Sequence, residues 1–270
     1  MAFFLTVLRS WDDIHRYARH GWIYRGQRSS DWELRTSLER LCDRQGVPSG
    51  DRDKVERALL REFRRRYHQY SSHIPRYKIE WLSIMQHHGT PTRLLDVTYS
   101  IYIAAYFALE AADGDCAVWA VNAPWALQQS ADLLRLTGQL SELEINRLFE
   151  QFEQADDQLI DKTFLQPPSV RLTCTATSFK LNERRSIQKG AFLIPGDVTV
   201  PFFENLAALS DHDDADCVLK LVIPLKERAE AIRQLFQMKV SRTSLFPGLD
   251  GFAESLSVFH PVVFNPVKWR

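Results

Sequence analysis

The chain has 270 residues, of which 45% are hydrophobic and 25% charged, enough apolar material for one large core or two small ones. Basic and acidic side chains balance at 34 each, so bulk charge gives no support to a nonspecific nucleic-acid binder and leaves only a local basic face. No apolar run approaches eighteen residues and none of Cys42, Cys116, Cys174 and Cys217 sits in a CxxC pair, which argues against a membrane span, a structural zinc site and a disulfide scaffold.

In chain order, "MAFFLTVLRSWDD" is apolar for only eight residues, lacks a basic lead and turns acidic, unlike a signal peptide; a cytoplasmic protein is expected. Ser10, with Asp13 three residues on, reads as the capping pair of a first helix that Gly21 ends. "WIYRG" then reads as a short strand stopped by glycine, with Arg25 at its end. Gly26 allows either close backbone approach or a positive φ. An arginine beside it can hold a phosphate or carboxylate through its fork of donors, or tie loops together through an internal aspartate. Gln27 and Arg28 carry less signal, since either fits an ordinary surface.

Residues 53–70 form an amphipathic helix, with Val55, Leu59, Leu60, Phe63 and Tyr67 at helical spacing. Its other face, Arg57, Arg61, Arg64, Arg65 and Arg66, is either simply solvated or contacts phosphates. Helices are expected at Ile79–His87 and Ser100–Glu110, the second apolar almost all round and therefore central. "QHHGTPTRLLDVTYS" joins them. His87 and His88 are adjacent and lack an H-E-x-x-H pattern, so they read as structural histidines or substrate and acid–base groups rather than metal ligands. Arg93 and Asp96, three apart, are expected to pair. Thr98 and Ser100 cap the next helix, with hydroxyls that could instead touch a ligand.

"CAVWAVN" is a buried strand, and 137–160 a polar helical region or helical insertion, the whole spanning 125–165. "SVRLTCTATS", "GAFLIP" and "CVLKLVIP" are further strands. "LKERAEAIRQLFQM" returns to helix, and "SLFPGLDGFAESL" makes a turn and a helix capped by Asp250. Gln188, ahead of Lys189, Gly190 and a strand, either bonds backbone in the core or presents its amide to a ligand. No repeat, linker, P-loop, dinucleotide glycine pattern or nucleophile elbow is present. One α+β domain, residues 1–270, with a mixed sheet flanked by helices is expected.

These blocks resemble the FRG domain family, named for a Phe/Tyr-Arg-Gly motif. Tyr24-Arg25-Gly26, with Gln27 and Trp32, stands for that motif, and "QHHGTPTRLLDVTYSIYIAAYFAL", residues 86–109, is similar to its most specific block. "NERRSIQKGAFLIP" and "SLFPGLDGFAESL" resemble two later blocks, so the resemblance runs over nearly the whole chain. Val97 departs where the family often has Trp, and Tyr99–Ser100 replace a usual Asn/Pro-type entry.

The Tyr-Arg-Gly arginine is in turn similar to one that some ADP-ribosyltransferases carry on their first core strand. That similarity implies a split, ADP-ribosyltransferase-like sheet with NAD as co-substrate and no metal. It implies catalytic roles for Arg25, Thr98, His87 and Gln188, and NAD contacts from Tyr24, Arg25, Gly26, Gln27, His88 and Arg93. Asp96 and Asp250 would support them. The usual Glu-x-Glu or Gln-x-Glu is missing, because Lys189 and Gly190 follow Gln188; Asp96, Glu183, Asp250 and Glu254 are the carboxylates that could replace it. The target would be RNA, DNA or protein, with Arg57, Arg61, Arg64 and Arg65 on nucleic acid, in a toxin or phage-defence effector partnered by an antitoxin or regulatory protein. Two other functions stay open: a noncatalytic nucleic-acid or nucleotide-binding module, and a metal-independent nuclease using His87 or His88 with Arg93.

Overall fold

The computed structural model describes residues 4–72, 74–150, 157–166, 168–176, 187–209 and 216–256. Among these residues seven strands form one open sheet: β1 (Phe4–Val7), β2 (Trp22–Gln27), β3 (Leu95–Thr98), β4 (Cys116–Asn122), β5 (Thr173–Ala176), β6 (Gly190–Pro195) and β7 (Val218–Ile223). Their order across the sheet is β1-β7-β4-β2-β3-β6-β5. Only β1 and β7 run parallel; every other neighbouring pair is antiparallel, so the sheet is mixed. The near-continuous apolar runs of β4, β6 and β7 have the composition of strands covered on both faces.

Helices do cover both faces. On one, Ile23, Val97, Trp119 and Val121 share a core with α2 (Arg52–Tyr67), α3 (Lys78–His87) and α5 (Ala123–Thr137). On the other, Trp22, Tyr24, Val118, Leu219 and Leu221 pack with α4 (Ile101–Leu109) and the helix Arg228–Gln237. The 123–165 region joins the first core through Ala126, Leu134, Ile145, Leu148 and Phe164, and Ser130 Oγ on α5 donates to Thr173 O on the edge strand β5 (3.0 Å). Cys42, Cys116 and Cys174 are buried, Cys217 is half-buried, and none is in a disulfide.

Several local expectations need correction. The first helix is a 3-10 helix, Trp11–Tyr17, although Asp13 does return to the Ser10 amide (3.3 Å). β2 does not stop at glycine: it continues to Gln27, and Gly26 stays in register with Val118 of β4. The helix at 249–255 is capped by Gly248, at φ +107°, with Asp250 in its first turn. The strand Phe4–Val7, the helix α1 (Ser37–Arg44) and the helix Phe202–Ala207 were not expected at all.

Gly26 serves close approach, not a turn. A Cβ there would stand 1.9 Å from Ala104 O and 2.7 Å from Ala108 N, because α4 lies directly on β2. Its own small residues Ala104, Ala105 and Ala108, all fully buried, permit that contact. Gly26→Ala must push helix from sheet. Overpacking of this kind costs about 1–3 kcal/mol and more where backbone is the obstacle, so scanning calorimetry should show a melting temperature lower by several degrees, on the order of 2–4 °C per kcal/mol. An unchanged melting temperature would show that α4 is not seated there.

Candidate functional site

β2 and β3 are neighbours, yet they share a single paired position, Tyr24 with Thr98. Beyond it β2 stays with β4 through Arg25, Gly26 and Gln27, while β3 stays with β6 through Val97, Asp96 and Leu95. The two halves of the sheet therefore part just where Arg25 stands. A cavity of about 290 Å³ opens there, lined by Arg25 and Gly26 of β2, Gln86 and His87 at the end of α3, Asp96 and Thr98 of β3, Phe107 of α4, and Gln188.

Arg25 bridges the gap. Its Nη1 donates to Asp96 O across the two strands, and its buried Nε has no acceptor among the described residues. Burial pulls the guanidinium pKa down; the negative charge of Asp96 opposes that shift, and the nearby positive charge of Arg40 adds to it. A half-buried cation with a buried, unmet Nε donor beside a cavity is a prepared place for an anion. Arg40 belongs to the same field, its own pKa lowered first by burial and then by Arg35, with Asp96 pulling the other way.

The cavity wall is held by side-chain bonds. Gln86 Oε1 accepts from Thr92 Oγ1 (2.7 Å) and Ser37 Oγ (3.3 Å), which turns its Nε2 toward Asp96 Oδ2 (2.8 Å). Asp96 thus keeps one carboxylate oxygen fixed while the residue is exposed to the cavity. Thr98 Oγ1 donates to Gln188 O (2.7 Å) and accepts from Ser100 N (3.1 Å), so it positions Ser100, the N-cap of α4, and holds the Gln188 backbone. Gln188 Nε2 donates to Leu245 O (3.1 Å). His87 lines the cavity, its ring set edge-on to His88 at 5.0 Å between centroids.

Of the residues expected at the site, Arg25, Gly26, Tyr24, His87, Asp96, Thr98 and Gln188 converge on this cavity. The Tyr24 phenol is committed to the fold: it donates to Tyr17 O (2.7 Å), accepts from Arg19 N (2.9 Å), and has its pKa raised by burial. Gln27 is buried behind the cavity, donating to Glu33 O and accepting from Trp119 Nε1, both at 2.9 Å. His88 faces a different depression, with Leu59, Phe63, Tyr67 and Tyr70.

The expected Arg93–Asp96 pair does not form. Arg93 is fully buried and gives Nε to both Glu56 oxygens (2.8 and 3.0 Å), Nη2 to Glu56 as well, and Nη1 to Pro195 O and Gly196 O (3.2 and 3.3 Å). Every arm of its fork is used and Arg93 does not line the cavity, so it is a tie between α2 and the end of β6.

Asp250 is exposed and does not line the cavity, Glu254 pairs with Arg242, and Glu183 lies outside the described residues. Arg57, Arg61 and Arg64 line a third depression with Lys78 and Asp161, while Arg65 and Arg66 pair with Glu62. Two further residues, Gln86 and Arg40, take part in the site without a local sequence signal. Gln86 stands at the head of the quoted block, where it looks like an ordinary helix-end residue. Arg40 meets Arg25 only through space, and no local pattern announces it. Among the described residues no group of three His, Cys, Asp or Glu side chains could hold a metal ion, and no helix is long and apolar enough to cross a membrane.

The fold and site define an α+β protein with an arginine-floored cleft where a mixed sheet parts. Residues 20–115 match the model of the FRG domain, so the chain contains an FRG-domain region. That region carries Tyr24–Gly26, Gln86, His87, Asp96 and Thr98 but stops short of Gln188, and so is narrower than the resemblance implied. No curated protein and no solved structure matches the chain.

Proposed function

We propose that the cleft between β2 and β3 binds NAD and that the protein transfers ADP-ribose from it to a macromolecule. The observation that supports this reading is the under-satisfied Arg25 guanidinium at the parting of the sheet, in one cavity with Thr98, His87 and Gln188. A planar fork of donors suits a diphosphate, and Arg40 adds positive field to it. At about 290 Å³ the cavity is just below the usual size of ligand pockets, roughly 300–1,000 Å³. It suits the ribose and nicotinamide end of the dinucleotide, leaving the adenosine end over the mouth.

In the reaction the bond from ribose C1′ to the nicotinamide nitrogen breaks, and nicotinamide leaves with the electron pair. A lone pair of the target then bonds to C1′, and the target's proton passes to a base. Asp96 supplies the negative charge that steadies the cationic ribosyl centre, held for that by Gln86. Gln188, with its Nε2 fixed on Leu245, offers its Oε1 to a ribose hydroxyl. His87 is the base. Purified protein given NAD labelled in the adenylate half, with nucleic-acid and protein fractions of a lysate, should release nicotinamide and label a macromolecule. Neither product in any fraction, from folded protein, would overturn the reading.

A second reading, a noncatalytic nucleotide-binding module, draws on the cleft's having Asp96 as its lone carboxylate among the described residues. It requires ligand binding without nicotinamide release in that same assay. The nuclease reading loses its partner for histidine, since Arg93 is sealed against Glu56.

A further inference from the structure

Helix α2 carries two different surfaces. Arg57, Arg61 and Arg64 lie one above another at four- and three-residue spacing and line a depression that Lys78 also enters. About a quarter to a third of a turn round the helix, Phe63 and Tyr67, with Tyr70 just past the helix end, form a groove of about 490 Å³ that Glu62, Arg66 and His88 also line. Trp81 joins the two: Arg64 lies over its ring at 5.3 Å, and Tyr67 meets the same ring edge-on at 5.1 Å. Phe63 and Tyr67 are stacked at 5.7 Å with their planes 29° apart, so two neighbouring rings form the groove wall. Tyr70 is 82% exposed at its rim, more than a tyrosine needs for packing.

The charges around the groove select its occupant. Arg65 and Arg66 are engaged by Glu62, and Arg57 pairs with Asp53. Arg61 and Arg64 have no carboxylate partner among the described residues, and both are exposed. Exposed guanidinium groups beside stacked aromatic rings suit a chain that is anionic along its backbone and flat and apolar at its side groups. An acidic peptide would meet the cations but leave the aromatic groove empty.

The groove also adjoins the cleft. His88 closes the groove and His87 lines the cleft, on consecutive residues with rings 5.0 Å apart. The depression begins at Lys78, paired there with Asp161, about 13 Å back along α3 from His87.

We infer that α2 binds single-stranded nucleic acid, its phosphates on Arg61 and Arg64 and a base in the groove of Phe63, Tyr67 and Tyr70, with the strand leading past His88 toward the cleft. Stacking on aromatic rings with a cationic track for the backbone is the physical basis of sequence-tolerant single-strand binding. The strand's role as acceptor of ADP-ribose rests on the reading of the cleft given above; the binding itself does not.

Fluorescence anisotropy of a labelled single-stranded RNA oligonucleotide tests the inference on the full chain, with nicotinamide release measured on the same preparations. The wild type should bind, and the slope of log affinity against log salt should fall by about 0.7 for each phosphate contact removed in Arg61→Glu/Arg64→Glu. Tyr70→Ser, at a position exposed enough to spare the fold, should weaken binding about five- to hundredfold. No binding, binding that salt and both variants leave unchanged, or preference for polyglutamate over RNA would overturn it. Nicotinamide release without RNA binding would sink this inference alone. RNA binding without nicotinamide release would sink the reading of the cleft and leave the surface standing.

Discussion

Glu56→Ala is expected to cost about 3–5 kcal/mol of folding stability, because it strands a guanidinium in the core. Both Arg93 and Glu56 are 1% exposed at the side chain, and water cannot replace the lost carboxylate. Arg93 would keep only its bonds to Pro195 O and Gly196 O. Against a total stability of roughly 5–15 kcal/mol, that loss is large enough to unfold a sizeable fraction of the protein under mild conditions. Urea denaturation of the two proteins measures it. Glu56→Gln should fall between them, since an amide oxygen still accepts from Arg93 but carries no charge. Removing both charges together, as in Glu56→Leu/Arg93→Met, should recover much of the loss, because the pair's own net contribution is small once its desolvation is counted. A cost below about 1 kcal/mol for Glu56→Ala would place the pair in solvent.

Arg25→Lys is expected to keep the fold and lose the chemistry. Among the described residues Arg25 makes one hydrogen bond, to Asp96 O; its ionised donor puts that bond at about 1.5–3 kcal/mol, of which a lysine ammonium keeps a part. The melting temperature should therefore move by only about 2–4 °C. Bonds to an anionic ligand oxygen join two ionised groups, at the upper part of about 1.5–3 kcal/mol each, and lysine cannot copy the two parallel bonds of the fork. Nicotinamide release should fall by about ten- to hundredfold or more at matched protein concentration. A large drop in melting temperature with full activity in the surviving folded protein would make Arg25 a structural tie and nothing else.

The long elements could be read from the sequence because their periodicity is strong. Leu59, Leu60, Phe63 and Tyr67 mark α2 at helical spacing, and the apolar run 101–109 marks α4 as a buried helix. β4, β6 and β7 showed as short apolar runs bounded by turn residues. β1 did not, being four residues long with Phe4, Leu5 and Val7 about half exposed or more. The start of α5 was hidden by Pro124, which reads as a loop residue but sits in the first turn of a helix capped by Asn122, whose side chain accepts from Trp125 N.

At the site, Arg25, His87, Thr98 and Gln188 stood out as polar residues next to turns and strand ends. Their convergence could not be read, because it depends on β2 and β3 sharing only one paired position. Arg93 shows the opposite error. Sequence spacing offered it Asp96, three residues away, but burial decided for Glu56, thirty-seven residues back, which can enclose the guanidinium on a helix packed against it. Gly26 could have been resolved from its partner's side: Ala104 and Ala108 at four-residue spacing already announce a helix face made for close approach.

The central claim is that the parting of β2 and β3 is a nucleotide diphosphate site floored by Arg25. Isothermal titration of ADP-ribose into the wild-type chain and into Arg25→Lys tests it most directly, since no target or turnover is needed. The wild type should bind one equivalent, and the variant should bind at least about tenfold more weakly, the loss of roughly one charge-assisted bond. Equal affinities in two folded proteins, or no binding by the wild type, would contradict it.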